Sequence, residues 1–186
     1  MGAEFELALS EEERQYLLSA AIHRIDLVLR EQKIDFLPPP ESAVLHEKLG
    51  VFASLKLYGS LRGCIGRLVS NDPLYITIAD IAEAAAFHDS RFPPLTIGEF
   101  AEIGVEISIL GPITLCPDPE RIVLGKHGLI VRRGQRQGLL LPQVAVEWEW
   151  DRETFLSQAC RKAGLAPEVW QDSETEIYWF EACVVG

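Results

Sequence analysis

The stretch that most constrains this chain is Leu61-Arg62-Gly63-Cys64-Ile65-Gly66, where a strand-like run carries a guanidinium, a thiol and two glycines at neighbouring positions. Glycine inside a strand weakens it, so two of them close together call for a reason in the fold or at a site. The flanks supply a hairpin. Val51–Tyr58 reads as one strand, Gly59-Ser60 as a two-residue turn, and Leu61–Leu68 as the returning strand. That register pairs Tyr58 with Leu61, Leu57 with Arg62, Leu55 with Cys64 and Ala53 with Gly66. It places Arg62, Cys64, Gly66 and Leu68 on the apolar face with Val51, Ala53, Leu55 and Leu57. On this reading Cys64 is a small buried hydrophobe and Arg62 covers the sheet end. The competing reading has Gly63 and Gly66 clearing the sheet surface so that a ligand or another backbone can approach, with Arg62 as an anion fork beside it.

Further segments fall in a fixed order around the hexapeptide. They are Gly50-Val51-Phe52, Asp89-Ser90-Arg91-Phe92-Pro93-Pro94-Leu95, Glu106-Ile107-Ser108, Gly125-Lys126-His127-Gly128-Leu129, Leu140-Leu141-Pro142-Gln143-Val144-Ala145 and Lys162-Ala163-Gly164-Leu165. With these motifs the chain resembles the AMMECR domain family, known in prokaryotes as AmmeMemoRadiSam system protein A, over about Ser10 to Glu181. The resemblance implies an α+β fold of two subdomains with antiparallel sheets and flanking helices. In it the larger subdomain is built from both termini, the smaller is inserted from the middle of the chain, and the hexapeptide lines a cleft between them. It also implies a genomic association with a Memo-like protein and a radical SAM enzyme, and through it a candidate partnership with them. It assigns no reaction and no cofactor.

At 186 residues, 48% hydrophobic and 24% charged, the chain suits a soluble globular protein with one well-buried core. Its acidic, amphipathic start lacks the pattern of a signal peptide, and no apolar run reaches the ~18 residues of a membrane span, so a cytoplasmic protein is expected. The net charge of −11 disfavours nucleic acid, because the basic residues are scattered apart from Arg132, Arg133 and Arg136. Cys64, Cys116, Cys160 and Cys183 are widely spaced with no CxxC, which argues against a zinc or iron–sulfur cluster and fits a reducing compartment.

Along the chain, Ser10 and Glu13 form a capping box for a helix whose apolar stripe runs from Tyr16 and Leu17 to Leu27 and Val28. His23 and Asp26 lie off that stripe. Pro38-Pro39-Pro40 is a stiff connector, and Glu41–Leu49 a short helix. Asp72 as N-cap and Pro73 at the first helical position open a second helix ending near His88. The Asp89–Leu95 loop follows, then a turn capped by Thr96 and Glu99. Ile103–Leu110 alternates as a half-buried strand, leaving Glu106 to seek a partner such as Arg62. Gly128–Arg133 and Gly138–Leu141 read as a hairpin over Gln135-Arg136. Pro142 and Asp151 open two more helices, the second stopped by Gly164, and Pro167 opens a further turn. Thr175–Val185 alternates as a last strand.

No Ser/His/Asp set, HExxH, P-loop or dinucleotide fingerprint is present. A thiol–imidazole pair of Cys64 and His127 is the one nucleophilic combination the chain offers. Arg62, Gly63, Gly66, Asp89, Arg91, Glu106 and Gln143 are the candidate ligand-binding residues. Two functional classes follow: a site that binds or transforms a small ligand, and a non-catalytic partner or scaffold module of the three-protein system.

Overall fold

A computed structural model of the chain describes residues 7–186 apart from Ile34 and Phe36. The fold is α+β, with two four-stranded antiparallel sheets and flanking helices. Two compact units are present: residues 7–109 with 183–186, and residues 110–182.

The first unit starts with α1 (Glu11–Leu29), whose capping box forms as the sequence predicts: the Glu13 amide donates to Ser10 Oγ (3.2 Å) and the Ser10 amide to Glu13 Oε2 (2.6 Å). Its inner stripe, Leu17, Ala20, Ala21, Ile25 and Leu27, is buried. Arg24 on the same helix is buried too, a feature the periodicity does not reveal. It is compensated by Asp80 (3.0 Å) and Glu83 (2.9 Å) of α2 (Leu74–Phe87). The predicted helix at 41–49 is only a 3₁₀ turn, Ala43–His46. In α2 the N-cap is Pro73, one residue later than expected, and the preceding loop is held by Ser70 Oγ against Thr77 Oγ1 (2.7 Å).

The hairpin comprises β1 (Val51–Leu57) and β2 (Ser60–Arg67), and its register differs from the expected one. The turn is Tyr58-Gly59, with both φ angles positive (50° and 80°), so Leu57 pairs with Ser60. Farther along, Lys56 pairs with Leu61 but Leu55 with Gly63, which leaves Arg62 as the extra residue of a β-bulge. Beyond the bulge every pairing has slipped by one. Cys64 lies opposite Ser54, not Leu55, and Gly66 opposite Phe52, not Ala53. The thiol therefore stands on the half-buried polar face, while Val51, Ala53 and Leu55 carry the buried one. Sequence alone misses this because a bulge leaves no mark in an alternating pattern.

A short helix, α3 (Ile97–Phe100), is capped by Thr96 and Glu99 and leads into β3 (Ile103–Leu110). The first sheet has the order β2-β1-β3-β8, where β8 is Ala182–Val185, and α2 packs on β1 and β2. At Gly63 that packing is so close that a methyl group would overlap the Ala85 carbonyl of α2. The gap the glycine creates is filled by a helix backbone.

The second unit carries β4 (Thr114–Leu115), β5 (Gly128–Arg133), β6 (Arg136–Leu140) and β7 (Glu176–Phe180), in the order β4-β7-β5-β6. Arg133 pairs with Arg136, so the turn is Gly134-Gln135, one residue earlier than expected. Two helices, α4 (Pro142–Glu147) and α5 (Arg152–Lys162), complete the unit, with Asp151 accepting the Thr154 amide as N-cap (2.8 Å). Leu129, Val131, Leu140, Phe155, Leu156 and Ile177 form its core. The predicted single strand at 175–185 is two strands broken at Glu181, and they belong to different sheets.

Gly63→Ala is expected to cost about 2 kcal/mol, because the clash is with backbone that cannot rotate away. Gly98→Ala, at a helical position facing open space, is expected to be neutral or stabilising. Urea unfolding of both variants measures the contrast.

Candidate functional site

The bulged strand β2 lies at the edge of its sheet, so alternate backbone groups point away from β1. At Cys64 these groups are taken by side chains of the Asp89–Leu95 loop. The Cys64 amide donates to Asp89 Oδ2 (2.8 Å) and its carbonyl accepts from Arg91 Nη2 (3.1 Å). Asp89 and Arg91 also bond one another, Nε to Oδ1 at 2.9 Å and Nη2 to Oδ2 at 2.7 Å, and the Arg91 amide adds a bond to Oδ1 at 3.1 Å. An ion pair thus stands where a fifth strand would otherwise dock.

Asp89 is 6% exposed, and hydrogen bonds from Arg91, opposed by burial and aided by the Cys64 amide, hold its carboxyl well below the usual carboxylate range. It is an anion at every ordinary pH, so the clamp does not open by titration near neutrality.

Arg62, pushed out of register by the bulge, makes a two-pronged bond to Glu99 (2.8 and 3.1 Å) and a third to the Pro94 carbonyl (3.3 Å). The Glu99 pKa falls to about 2, chiefly through Arg62 and then the Thr96 amide. Arg62 is 8% exposed and its fork is occupied, so it braces the loop from below. The Phe92 ring meets both guanidinium groups, its centroid 5.9 Å from Arg62 Cζ and 5.5 Å from Arg91 Cζ.

With its backbone held outward, Cys64 faces Ser54 as a pair whose side chains approach closely, and Ser54 Oγ donates to Cys64 Sγ at 3.3 Å. Ser54 is also paired with Glu106 on β3. Thiol, hydroxyl and carboxylate therefore form one row across three strands. Glu106 bonds Lys56 at 3.1 Å, not Arg62 as the sequence reading expected. Gly66 on this face receives the Phe52 ring, which occupies the space a side chain would need. Ser54 and Lys56 are the residues that sequence reasoning passed over; correct placement of the bulge would have found them.

His127 and Gln143 belong to the second unit. The Val123 amide donates to His127 Nδ1 at 3.0 Å, which puts the proton of the neutral ring on Nε2. The ring packs on Trp179 at 4.4 Å, and burial, countered by Glu181, pushes its pKa down. Gln143 sits half-buried in the first turn of α4. Among the described residues no group of three or more His, Cys, Asp or Glu side chains is arranged to hold a metal, and no helix is long and apolar enough to cross a membrane. A shallow hollow with room for about one water (about 10 Å³) lies in the first unit and is lined by Tyr16, His23, Arg24 and Tyr75.

The AMMECR1 family profile matches residues 18–185, and the chain belongs to that family. It is 43% identical to a protein of Methanothermobacter thermautotrophicus over 180 residues, covering 94% of each chain. It is 45% identical to Protein MK0488 of Methanopyrus kandleri over 186 residues, covering 95% of this chain and 89% of that one. The crystal structure of the uncharacterized protein PH0010 from Pyrococcus horikoshii superposes with a TM-score of 0.88 at 39% identity, covering 95% of this chain and 92% of that one.

The depressed pKa of Glu99 makes its bond to Arg62 a pH-dependent source of stability, complete above the unfolded value of 4.5 and lost as pH falls towards about 2. Glu99→Gln is expected to lose about 2 kcal/mol at pH 7, since it leaves the buried Arg62 without its anion. Its deficit should shrink steadily from pH 4.5 downwards, as measured by chemical denaturation across that range.

Proposed function

We propose that the face carrying Cys64, Ser54 and Glu106 is a small-ligand site, and that the protein serves it within a three-protein system with a Memo-like protein and a radical SAM enzyme. The observation that carries this reading is the treatment of Cys64: its amide and carbonyl are both fixed by the Asp89–Arg91 pair, while the residue is only partly buried and its sulfur accepts from the Ser54 hydroxyl. A thiol needed only to fill space requires no such fixing, and rigid presentation of one polar row is how binding sites lower the cost of ordering. Asp89, Arg91, Arg62 and Glu99 act as positioning residues for the row. Ser54, Cys64, Glu106 and Lys56 are the groups offered to a ligand. A thiol, a hydroxyl and an ion pair side by side suit a small polar molecule with both donors and acceptors.

A second reading, a partner or scaffold module without catalysis, draws on Tyr58. This side chain is 80% exposed at a hairpin tip where its backbone takes a positive φ of 50°, a conformation aromatic residues adopt at a cost. Leu61 beside it is 45% exposed.

Iodoacetamide labelling in the folded protein distinguishes these readings. Cys64 is expected to label well ahead of Cys160, whose thiol is fully buried and pushed up in pKa by that burial. Ser54→Ala should alter the labelling rate of Cys64 alone. Native-state labelling of Cys64 no faster than that of Cys160 would defeat the ligand-site reading. Fast labelling at pH 7 that His127→Ala abolishes would instead make Cys64 a covalent nucleophile. For the partner reading, tagged protein should recover the Memo-like and radical SAM proteins of the same cell, and Tyr58→Ser should weaken that recovery.

A further inference from the structure

In the link between the 3₁₀ turn Pro119–Arg121 and β5, both main-chain groups of Val123 are engaged by one residue, His127. The Val123 carbonyl accepts from the His127 amide (2.9 Å) and at longer range from the Lys126 amide (3.3 Å), and the Val123 amide donates to His127 Nδ1 (3.0 Å). The chain turns back on itself here because Gly125 takes a φ of 79°, in the left-handed region. Ile122 before the turn is buried and Leu124 packs on the core of the second unit, whereas Val123 is 52% exposed. The turn is thus anchored by its apolar residues and closed at its exposed side by one imidazole. That ring lies on Trp179, with centroids 4.4 Å apart and planes at 42°, and the indole is held in turn by its Nε1 donating to Thr114 Oγ1 (2.9 Å).

The bond to Nδ1 exists in only one charge state of the ring. Neutral imidazole with its proton on Nε2 presents a lone pair at Nδ1, whereas imidazolium carries a proton on both nitrogens and has no acceptor. A protonated ring in the same place would set two N–H groups against each other at 3.0 Å. Burial holds the pKa of the ring below the ordinary histidine value of 6.5; Glu181, which follows β7, pulls the other way, and Lys126 on the turn itself again opposes the charge. Those two lie 3.8 Å apart, Lys126 Nζ to Glu181 Oε1. Helix α4 meets the turn through Val146, a methyl of which is 3.0 Å from where a Cβ on Gly125 would stand, and Glu147 is the next residue of that helix. Thr114 and Leu115 of β4 bring no charge.

We propose that His127 is an acid-operated latch: protonation breaks its bond to the Val123 amide, opens the turn from Val123 to His127 and lifts the ring off Trp179. Because the closed form binds the proton more weakly than the open one, its advantage is complete above pH 6.5 and is lost as pH falls below that value. The indole face that the ring covers is then open to solvent. The latch lies wholly within the second unit and does not depend on Cys64 or on any ligand of the first.

The test follows the full chain by nuclear magnetic resonance between about pH 7.5 and 5.5, where ordinary carboxylates stay charged. At the upper end the His127 nitrogens should show the Nε2–H tautomer. On acidification the Val123 amide should lose its bonded shift with the same midpoint as the His127 ring, below 6.5, and the Trp179 indole resonance should move with it. Protection of the Val123 amide against hydrogen exchange, corrected for the intrinsic rate, should fall about fivefold from pH 6.5 to 5.5, a loss that a nearby charge without opening would not cause. His127→Asn keeps an acceptor, Oδ1, near the place of Nδ1 but does not titrate; it should hold the turn closed and abolish the pH dependence, with melting temperatures confirming that it folds. A ring that titrates while Val123 protection stays constant would overturn the proposal. An Nδ1–H tautomer at pH 7.5 would overturn it, and so would a pH-dependent loss of Val123 protection that persists in His127→Asn.

Discussion

The carboxylate of Asp89 is the group on which the clamped hairpin depends. It accepts from the Cys64 amide and three times from Arg91, and so joins the edge of the first sheet to the loop that follows α2. Removing it would free more than one bond. The outward amide of an edge strand would lose its acceptor, and a guanidinium aligned by two oxygens would lose its alignment and with it the bond to the Cys64 carbonyl. Main-chain groups at a sheet edge are usually satisfied by water or another strand. Here a charged pair satisfies them, which explains how a loop without regular structure holds a strand residue as firmly as a ladder partner would.

Arg62 and Glu99 extend the arrangement by one layer. The β-bulge puts an additional residue on the strand where the loop must be anchored, and the capping box of α3 supplies the anion. Glu99 therefore serves two ends at once, as helix cap and as counter-ion to a buried arginine. The same economy appears at Arg24, where one buried guanidinium of α1 ties down two carboxylates of α2. Each unit also has a conventional apolar core, but the placement of its polar residues is set by a few multiply bonded charges.

Much of this was legible in the residues. Capping boxes at Ser10 and Thr96, the N-cap at Asp151 and the period-two runs of β1 and β3 are local signals, and the elements form where those signals stand. The hairpin itself was legible, but its face was not. A type I′ turn beginning at Tyr58, where glycine or asparagine is usual, and a bulge at Arg62 together moved Cys64 from the apolar to the polar side. Glu106 likewise found Lys56 rather than Arg62, because diagonal neighbours in a sheet depend on register. The sequence marked Asp89 and Arg91 as ligand-binding candidates; that they hold the main chain of Cys64 is a long-range fact without a local trace. Ser54 was invisible for the same reason, its role being fixed only by the strand opposite.

The break at Glu181 divides what alternation reads as one strand between two sheets, β7 lying inside the second and β8 at the edge of the first. A chain that emerges from the ribosome N-terminus first can assemble α1, β1 to β3 and α2 early, but β3 must wait for its outer neighbour until the whole of residues 110–182 has been made. During that interval one flank of β3 has open hydrogen-bonding positions. The nascent first unit is therefore exposed to chaperones, and to mispairing with other nascent chains, for a period set by translation speed rather than by its own rate of folding.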